Sequence, residues 1–175
     1  MVYKRVILKR GKEESLKRFH PWVFSGAIAR MDNIEEGDLV TVYDHEGNLI
    51  GNGHYQIGSI AVRILTFDDT EIDSAFFVKR LTEAYKMRQA LGLSRPDNNA
   101  FRLVHGEGDF LPGLVVDIYG STAVMQAHSP GMHFARNLIA DALTQLPNGV
   151  VKNVYYKSET TLPYKAQLDP QNEYI

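Results

Sequence analysis

Residues 35–55, EEGDLVTVYDHEGNLIGNGHY, read as a turn, a strand, a tight connection and a returning strand. Glu35-Glu36-Gly37-Asp38 is turn chemistry, and Leu39-Val40-Thr41-Val42-Tyr43 is a β-branched run suited to a pleated surface. Asp44-His45-Glu46-Gly47-Asn48 connects it to a returning strand, Leu49 to Tyr55, which carries Gly51 and Gly53 at i, i+2. Both glycines fall on one face, where a neighbouring backbone comes close or a bulge bends the strand. Downstream, Ile60-Ala61-Val62-Arg63-Ile64-Leu65 alternates again. Upstream, Arg5-Val6-Ile7-Leu8-Lys9 alternates as a half-buried strand that Gly11 breaks. Glu13 to Phe19 is predicted as a short helix with Leu16 and Phe19 on one face, ending near Phe19 or His20 because Pro21 disfavours helix in the residue before it. Trp22-Val23-Phe24 is a strand stopped by Ser25-Gly26. Short strands, glycine kinks and one short helix within about 70 residues predict a small closed or nearly closed β-barrel.

The texture changes after Phe67. Asp68-Asp69-Thr70-Glu71 is an acidic connection, and Asp73 or Ser74 can cap a helix running to about Leu91. Phe77, Leu81, Ala84, Tyr85 and Leu91 form its apolar stripe, and Gly92 stands where a helix-ending glycine belongs. Strands are predicted at Phe101–His105, Gly113–Tyr119 and Thr122–His128, the last two joined by a hairpin at Tyr119-Gly120-Ser121. Ser129-Pro130 opens a second helix reaching about Leu146, with Phe134, Leu138, Ile139, Ala142, Leu143 and Leu146 apolar. Pro147-Asn148-Gly149 ends it, and Val150 to Tyr156 is a further strand. The expected class is α+β: a small N-terminal barrel over 1–70, then an α/β domain over 71–175 with a mainly antiparallel sheet and two helices.

The 175 residues are 44% apolar, 23% charged and 10% aromatic, which is globular composition and too apolar for intrinsic disorder. No apolar run approaches the ~20 residues that cross a bilayer, and the charged N-terminus MVYKRVILKR lacks a signal-peptide pattern. A cytoplasmic protein with no membrane partner is expected. The absence of cysteine excludes a disulfide framework, a thiolate zinc site and a cysteine nucleophile from this stretch. The net charge of −2 is unevenly spread. Residues 1–30 hold eight Lys/Arg (Lys4, Arg5, Lys9, Arg10, Lys12, Lys17, Arg18, Arg30) against Glu13 and Glu14, a net of +6; the rest holds eleven against nineteen acids, a net of −8. A basic end on an acidic chain either faces a polyanion or merely solvates a surface.

Three groups of residues invite chemistry. His105-Gly106-Glu107-Gly108-Asp109-Phe110-Leu111-Pro112-Gly113 begins like a dinucleotide fingerprint, but Leu111 stands at the third glycine and the loop joins two strands instead of opening a helix. Its alternating His105, Glu107 and Asp109 would serve either a metal site in a small hydrolase or metal enzyme, or a solvated glycine turn. His128 and His133 flank a helix start with no serine or carboxylate partner identifiable. The segment Lys17 to Gly26 is more telling, because it places cations, aromatics and a glycine turn together in the basic third. Phe19, Trp22 and Phe24 are expected mostly in the barrel core, with Lys and Arg facing outward from the same element.

RFHPWVFSGAI, then EEGDLVTVYDHEGNLIGNGHY, then IAVRILTF together resemble a PUA domain, the RNA-binding module shared by pseudouridine synthases and archaeosine transglycosylases. With the following helix, FRLVHGEGDFLPGLVVDIYG and YYKSETTLPYKAQLDPQNEYI, the order resembles the large-subunit ribosomal RNA cytosine-5 methyltransferase family. The resemblance covers essentially the whole chain, but only the first half of such a protein. It implies that a Rossmann-like S-adenosylmethionine domain follows in the parent and is absent here. The chain itself is then expected to bind ribosomal RNA, to hold no cofactor or metal and no catalytic residue, and to leave S-adenosylmethionine to the full-length parent. A homodimer stays open. The RNA-binding residues implied are Lys9, Arg10, Lys12, Lys17, Arg18, His20, Ser25, Gly26 and Arg63. The alternative is a stand-alone PUA-type RNA-binding protein with no enzyme attached.

Overall fold

A computed structural model describes residues 3–163, 168 and 172–175. It divides into two compact units, Met1–Ile72 and Asp73–Ile175. Part of the stretch YYKSETTLPYKAQLDPQNEYI lies outside the described residues.

The first unit is a curled six-stranded sheet built from β1 (Lys4–Leu8), β2 (Trp22–Phe24), β3 (Ile28–Met31), β4 (Leu39–Tyr43), β5 (Leu49–Tyr55) and β6 (Ile60–Thr66). Its order is β2-β6-β5-β4-β1-β3, antiparallel except where β1 runs parallel to β4. The expected barrel therefore stays open between β2 and β3. Asp44 shapes the β4–β5 turn: its carboxylate accepts from the Glu46 and Asn48 N–H groups and from the Asn48 side-chain amide, each at 2.9 Å. These bonds, the Asn48 side chain first, hold the Asp44 carboxyl below its usual range. Gly51 and Gly53 do what their spacing predicts. A Cβ at either would overlap a β6 carbonyl, that of Thr66 or of Arg63, and the ladder slips by a bulge between Asn52 and Gly53. Val6, Leu8, Leu16, Val23, Val40, Val42, Val62 and Ile64 fill the core.

Three expectations fail in this unit. Only Leu16–Arg18 is helical, as a 3₁₀ turn, because Phe19 enters the left-handed region at φ 61° and closes it through its N–H to the Leu16 carbonyl. Leu16 is buried, whereas Phe19 is 69% exposed, so the two do not share an inward face. The strand β3 was not predicted; its alternation is masked by Ala29, Arg30 and Met31, all exposed on a sheet edge.

The second unit opens with α1 (Ser74–Ala90), capped by Asp73 accepting from the Phe76 N–H. Its sheet orders β11 (Asn172–Tyr174), β10 (Asn153–Lys157), β9 (Thr122–Ala127), β8 (Leu114–Tyr119) and β7 (Ala100–His105). Every pair is antiparallel except β9 with β10, which a helical crossover joins. That crossover is two helices, α2 (Pro130–Phe134) and α3 (Arg136–Thr144), where one was predicted, making three among the described residues of the unit instead of two. The break falls at Ala135, beside which the Arg136 guanidinium donates to the His133 carbonyl at 3.1 Å. Phe134 and Leu138 consequently lie exposed, while Ile139, Ala142, Leu143 and Leu146 are buried as expected. Leu91 is exposed at the end of α1, and Phe76, which the predicted stripe omitted, is buried. The predicted strand from Val150 starts only at Asn153, because Asn148 and Gly149, both with positive φ, prolong the preceding turn.

Candidate nucleic-acid interface

β2 is an edge strand that follows Pro21, and its alternation decides which side chains meet solvent. Val23 is buried; Trp22 is half-buried and Phe24 is 50% exposed on the opposite face. The expectation that Phe19, Trp22 and Phe24 are mostly core is thus overturned. Only the Val23 side chain between Trp22 and Phe24 enters the core, because one face of an edge strand can pack and the other cannot.

The aromatics form a continuous ladder. His20 stands edge-on to Trp22 at 5.4 Å, and Trp22 edge-on to Phe24 at 6.4 Å. The His20 Nδ1 accepts the Trp22 N–H at 3.3 Å, which fixes the imidazole at the start of the ladder. Phe19 rests edge-on against Phe67 at 5.2 Å. Arg63 lies opposite Trp22 in the β2–β6 register, its guanidinium donating to the Gln56 side chain. A cleft of about 330 Å³ runs between Lys12 and Ser15 on one side and Trp22, Phe24 and Gly26 on the other.

The implied RNA-binding residues divide by what already holds them. The Lys9 ammonium donates to the Gly26 carbonyl at 2.8 Å, pinning the turn after β2. The Ser25 N–H donates to the Ser59 carbonyl at 2.9 Å. Lys17 sits 3.2 Å from Glu14 and 3.9 Å from the buried Glu13, and its hydrogen bond to Glu14 raises its pKa. Its charge is compensated within the fold. Arg10, Lys12 and Arg18 are exposed and have no side-chain hydrogen bond or ion pair among the described residues. Of the implied RNA-binding residues, these three are cations that the fold leaves for an anion.

In the second unit the His105–Gly113 loop is a structural clamp. The Arg88 guanidinium binds both carboxylate oxygens of Asp109, at 2.7 Å to Oδ2, and Oδ2 also accepts the His105 N–H at 2.6 Å. The loop is a 3₁₀ turn, Gly106–Asp109, between antiparallel strands, with no helix N-terminus behind it to receive a phosphate. Among the described residues no three His, Asp or Glu side chains are grouped to hold a metal. His133 and Tyr156 form a buried pair, Nδ1 to hydroxyl 2.7 Å, inside the core.

Comparison with known proteins places these observations. Residues 6–67 match the family model of a PUA-like domain, and this unit is one. Over 145 residues the chain is 41% identical to Ribosomal RNA large subunit methyltransferase I of Escherichia coli strain SMS-3-5, covering 81% of this chain and 36% of the relative. The protein of that name from Klebsiella pneumoniae strain 342 is 40% identical over 148 residues, 83% of this chain and 37% of the relative. The chain thus spans about a third of the length of the curated relatives it matches. A candidate SAM-dependent methyltransferase from Streptococcus mutans superposes with a TM-score of 0.75 at 18% identity, over 90% of this chain and 41% of that one. A candidate methyltransferase solved with SAH gives 0.76 at 18% identity, over 99% of this chain and 44% of that one. At that identity the likeness shows the fold alone.

Sequence reasoning missed Trp22 and Phe24 as surface groups, and it left Arg5 and Arg30 as unplaced charge. Pro21 was the available signal: proline favours sheet edges, and an edge strand exposes alternate residues.

Proposed function

We propose that this chain is the RNA-recognition part of an S-adenosylmethionine-dependent ribosomal RNA (cytosine-5) methyltransferase, in two domains, 1–70 and 71–175, working in the cytoplasm. The first domain holds RNA at the β2 edge. Unpaired bases stack on His20, Trp22 and Phe24, and phosphates meet Arg10, Lys12 and Arg18. Lys9, Ser25 and Gly26 keep the turn beside them in place, Arg63 backs Trp22, and Lys17 contributes least because Glu13 and Glu14 already neutralise it. The observation that carries this reading is the exposed aromatic ladder beside unpaired cations, within a PUA-like domain. The relatives' name supplies the substrate class. Methyl transfer and cofactor binding belong to residues outside this chain, which has no cysteine to attack the base.

Fluorescence anisotropy with a labelled ribosomal RNA fragment containing an unpaired loop tests this. Trp22→Ala with Phe24→Ala should weaken binding roughly fivefold or more, the scale of one lost base stack. Arg18→Glu with Lys12→Glu should weaken it and flatten its salt dependence. Reversing Lys79 and Lys86, exposed on α1, should do less. Equal losses from both charge reversals, with wild-type melting, would reduce the binding to diffuse electrostatics and end the β2-edge assignment.

A further inference from the structure

The eight cations of residues 1–30 are not equivalent. Lys4 pairs with Asp38 at 2.6 Å, Arg5 with Asp32, Lys17 with Glu13 and Glu14, and Lys9 with the Gly26 carbonyl. Arg10, Lys12 and Arg18 stand at the β2 side and are used above. Arg30 remains. It lies on the other edge strand, β3, opposite Ile7 of β1, exposed and with no side-chain hydrogen bond or ion pair among the described residues.

Arg30 lines a cleft of about 290 Å³ with Arg5, Ile7, Met31 and Asp32. Val6 and Leu8 point into the core, so Arg5 and Ile7 alternate onto the outer face. The Asp32 carboxylate is occupied: Oδ2 accepts the Arg5 N–H at 2.7 Å and lies 3.5 Å from the Arg5 Nε. That backbone bond, then the Arg5 side chain and, least, the nearby Arg30 charge hold Asp32 below the usual carboxylate range. Arg5 and Asp32 therefore neutralise each other, and Arg30 gives the cleft a net charge of about +1 beside the apolar Ile7 side chain, its partner across the β1–β3 pair.

We infer that the Arg5–Arg30 cleft is a second phosphodiester site, which takes the backbone of the same RNA strand whose bases lie on β2. This rests on the RNA reading proposed above. A guanidinium fork suits a phosphate's oxygens. One net positive charge matches the single negative charge of a phosphodiester and leaves the second charge of a free phosphate dianion uncompensated. Topology connects the two sites. β2 and β3 are opposite edges of the sheet yet consecutive in the chain, joined by the turn Ser25–Ala27. Ser25 is bonded to Ser59 on the β6 side, and Lys9 donates from its N–H to the Ala27 carbonyl on the β1 side. Trp22 and Phe24 alternate with buried Val23, as Arg5 and Ile7 do with buried Val6 and Leu8, so the side chains of both sites leave the sheet away from its core, on either side of this turn. Single-stranded RNA leaving Phe24 crosses Ser25 and Gly26 and reaches Arg30.

The test is a salt series of anisotropy titrations on the chain with a single-stranded ribosomal RNA oligonucleotide. Arg30→Gln should weaken binding roughly threefold or more, equally for unrelated sequences, and make the slope of log K against log salt shallower by about 0.7. Arg30→Lys, which keeps the charge, should restore the slope. Trp22→Ala should weaken binding and leave the slope alone, since it removes no ionic contact. Inorganic phosphate at constant ionic strength should not compete. A wild-type affinity and slope in Arg30→Gln, with Trp22→Ala still impaired, overturns this site and leaves the β2 reading standing. Competition by phosphate that Arg30→Gln abolishes reassigns the cleft to the free anion and also overturns it. A wild-type chain that binds no RNA removes both readings.

Discussion

Single residues set the limits of this fold. A side chain at Gly53 would strike the Arg63 carbonyl, so Gly53→Ala must push β6 away or lose the ladder there. A cost of about 1–3 kcal/mol or more is expected, read as a fall in the urea midpoint. His54, next in the strand, is buried, and desolvation depresses its pKa to about 4. The unfolded imidazole still takes a proton near pH 6.5, so between those values the unfolded chain binds more protons. Stability is then full above about pH 6.5 and falls by about 3 kcal/mol as pH drops through that window to about 4. Burial, then Arg136, lower the His133 pKa as well, adding to the same acid limb. Urea unfolding at pH 7 and 4.5 checks this, and equal midpoints would show that neither ring is buried neutral. The two glycines were legible because glycine at i, i+2 in an alternating strand marks a face with no room for side chains. The exposure of Phe19 was not: hydrophobicity counts it as core, and only its left-handed backbone turns it outward.

At the scale of elements, the loop from β7 to β8 shows how a functional-looking motif can be structural. The Arg88 and Asp109 side chains are 11% and 4% exposed, and they hold each other. Removing one partner strands a buried charge, so Asp109→Ala is expected to cost about 3–5 kcal/mol in urea unfolding. Phe110, next in the loop, is 57% exposed with φ 57°, a conformation that penalises a side chain. Phe110→Gly should therefore be neutral or slightly stabilising, offset by the loss of the contact with Arg80, whose guanidinium lies 5.4 Å from both the Phe110 and Phe76 rings. A loss as large as that of Asp109→Ala would mean that the ring, not the ion pair, holds the loop. Most strands and α1 were legible from alternation, the Asp73 cap and Gly92. β3 and β11 were not, since each is a short edge strand with exposed residues and its pairing comes from distant chain. The break at Ala135 was equally hidden, because Arg136 competes for a carbonyl through a side chain whose direction the sequence does not contain.

For the whole molecule, charge and chemistry point in different directions. The +6 end lies within the PUA-like unit, and its balance with Glu13, Glu14, Asp32 and Asp38 leaves only some of its cations uncompensated. A Debye length of about 8 Å at physiological salt means that a polyanion at this surface would sense those cations locally and not the chain's total of −2. The same molecule should not bind S-adenosylmethionine. The G-x-G loop that follows β7 is closed on Arg88, and isothermal calorimetry of the chain with the cofactor should show no heat beyond dilution; micromolar binding would contradict the reading of that loop. The α+β class was legible from the change of texture after Phe67. The clefts were not, since each is lined by residues from separate strands and loops that only the folded sheet brings together.

The order β2-β6-β5-β4-β1-β3 also dictates how the first unit assembles in time. β4, β5 and β6 are successive hairpins whose loops close over a few residues, whereas Lys4 must wait for Val40 and Trp22 for Arg63. Short loops cost less entropy to close, so the meander forms the nucleus and both basic edges dock onto it late. Val42→Ala should slow folding, with a φ-value well above that of Val6→Ala or Val23→Ala, which should chiefly speed unfolding. The strands that would meet RNA are then the last to be made and the first to let go.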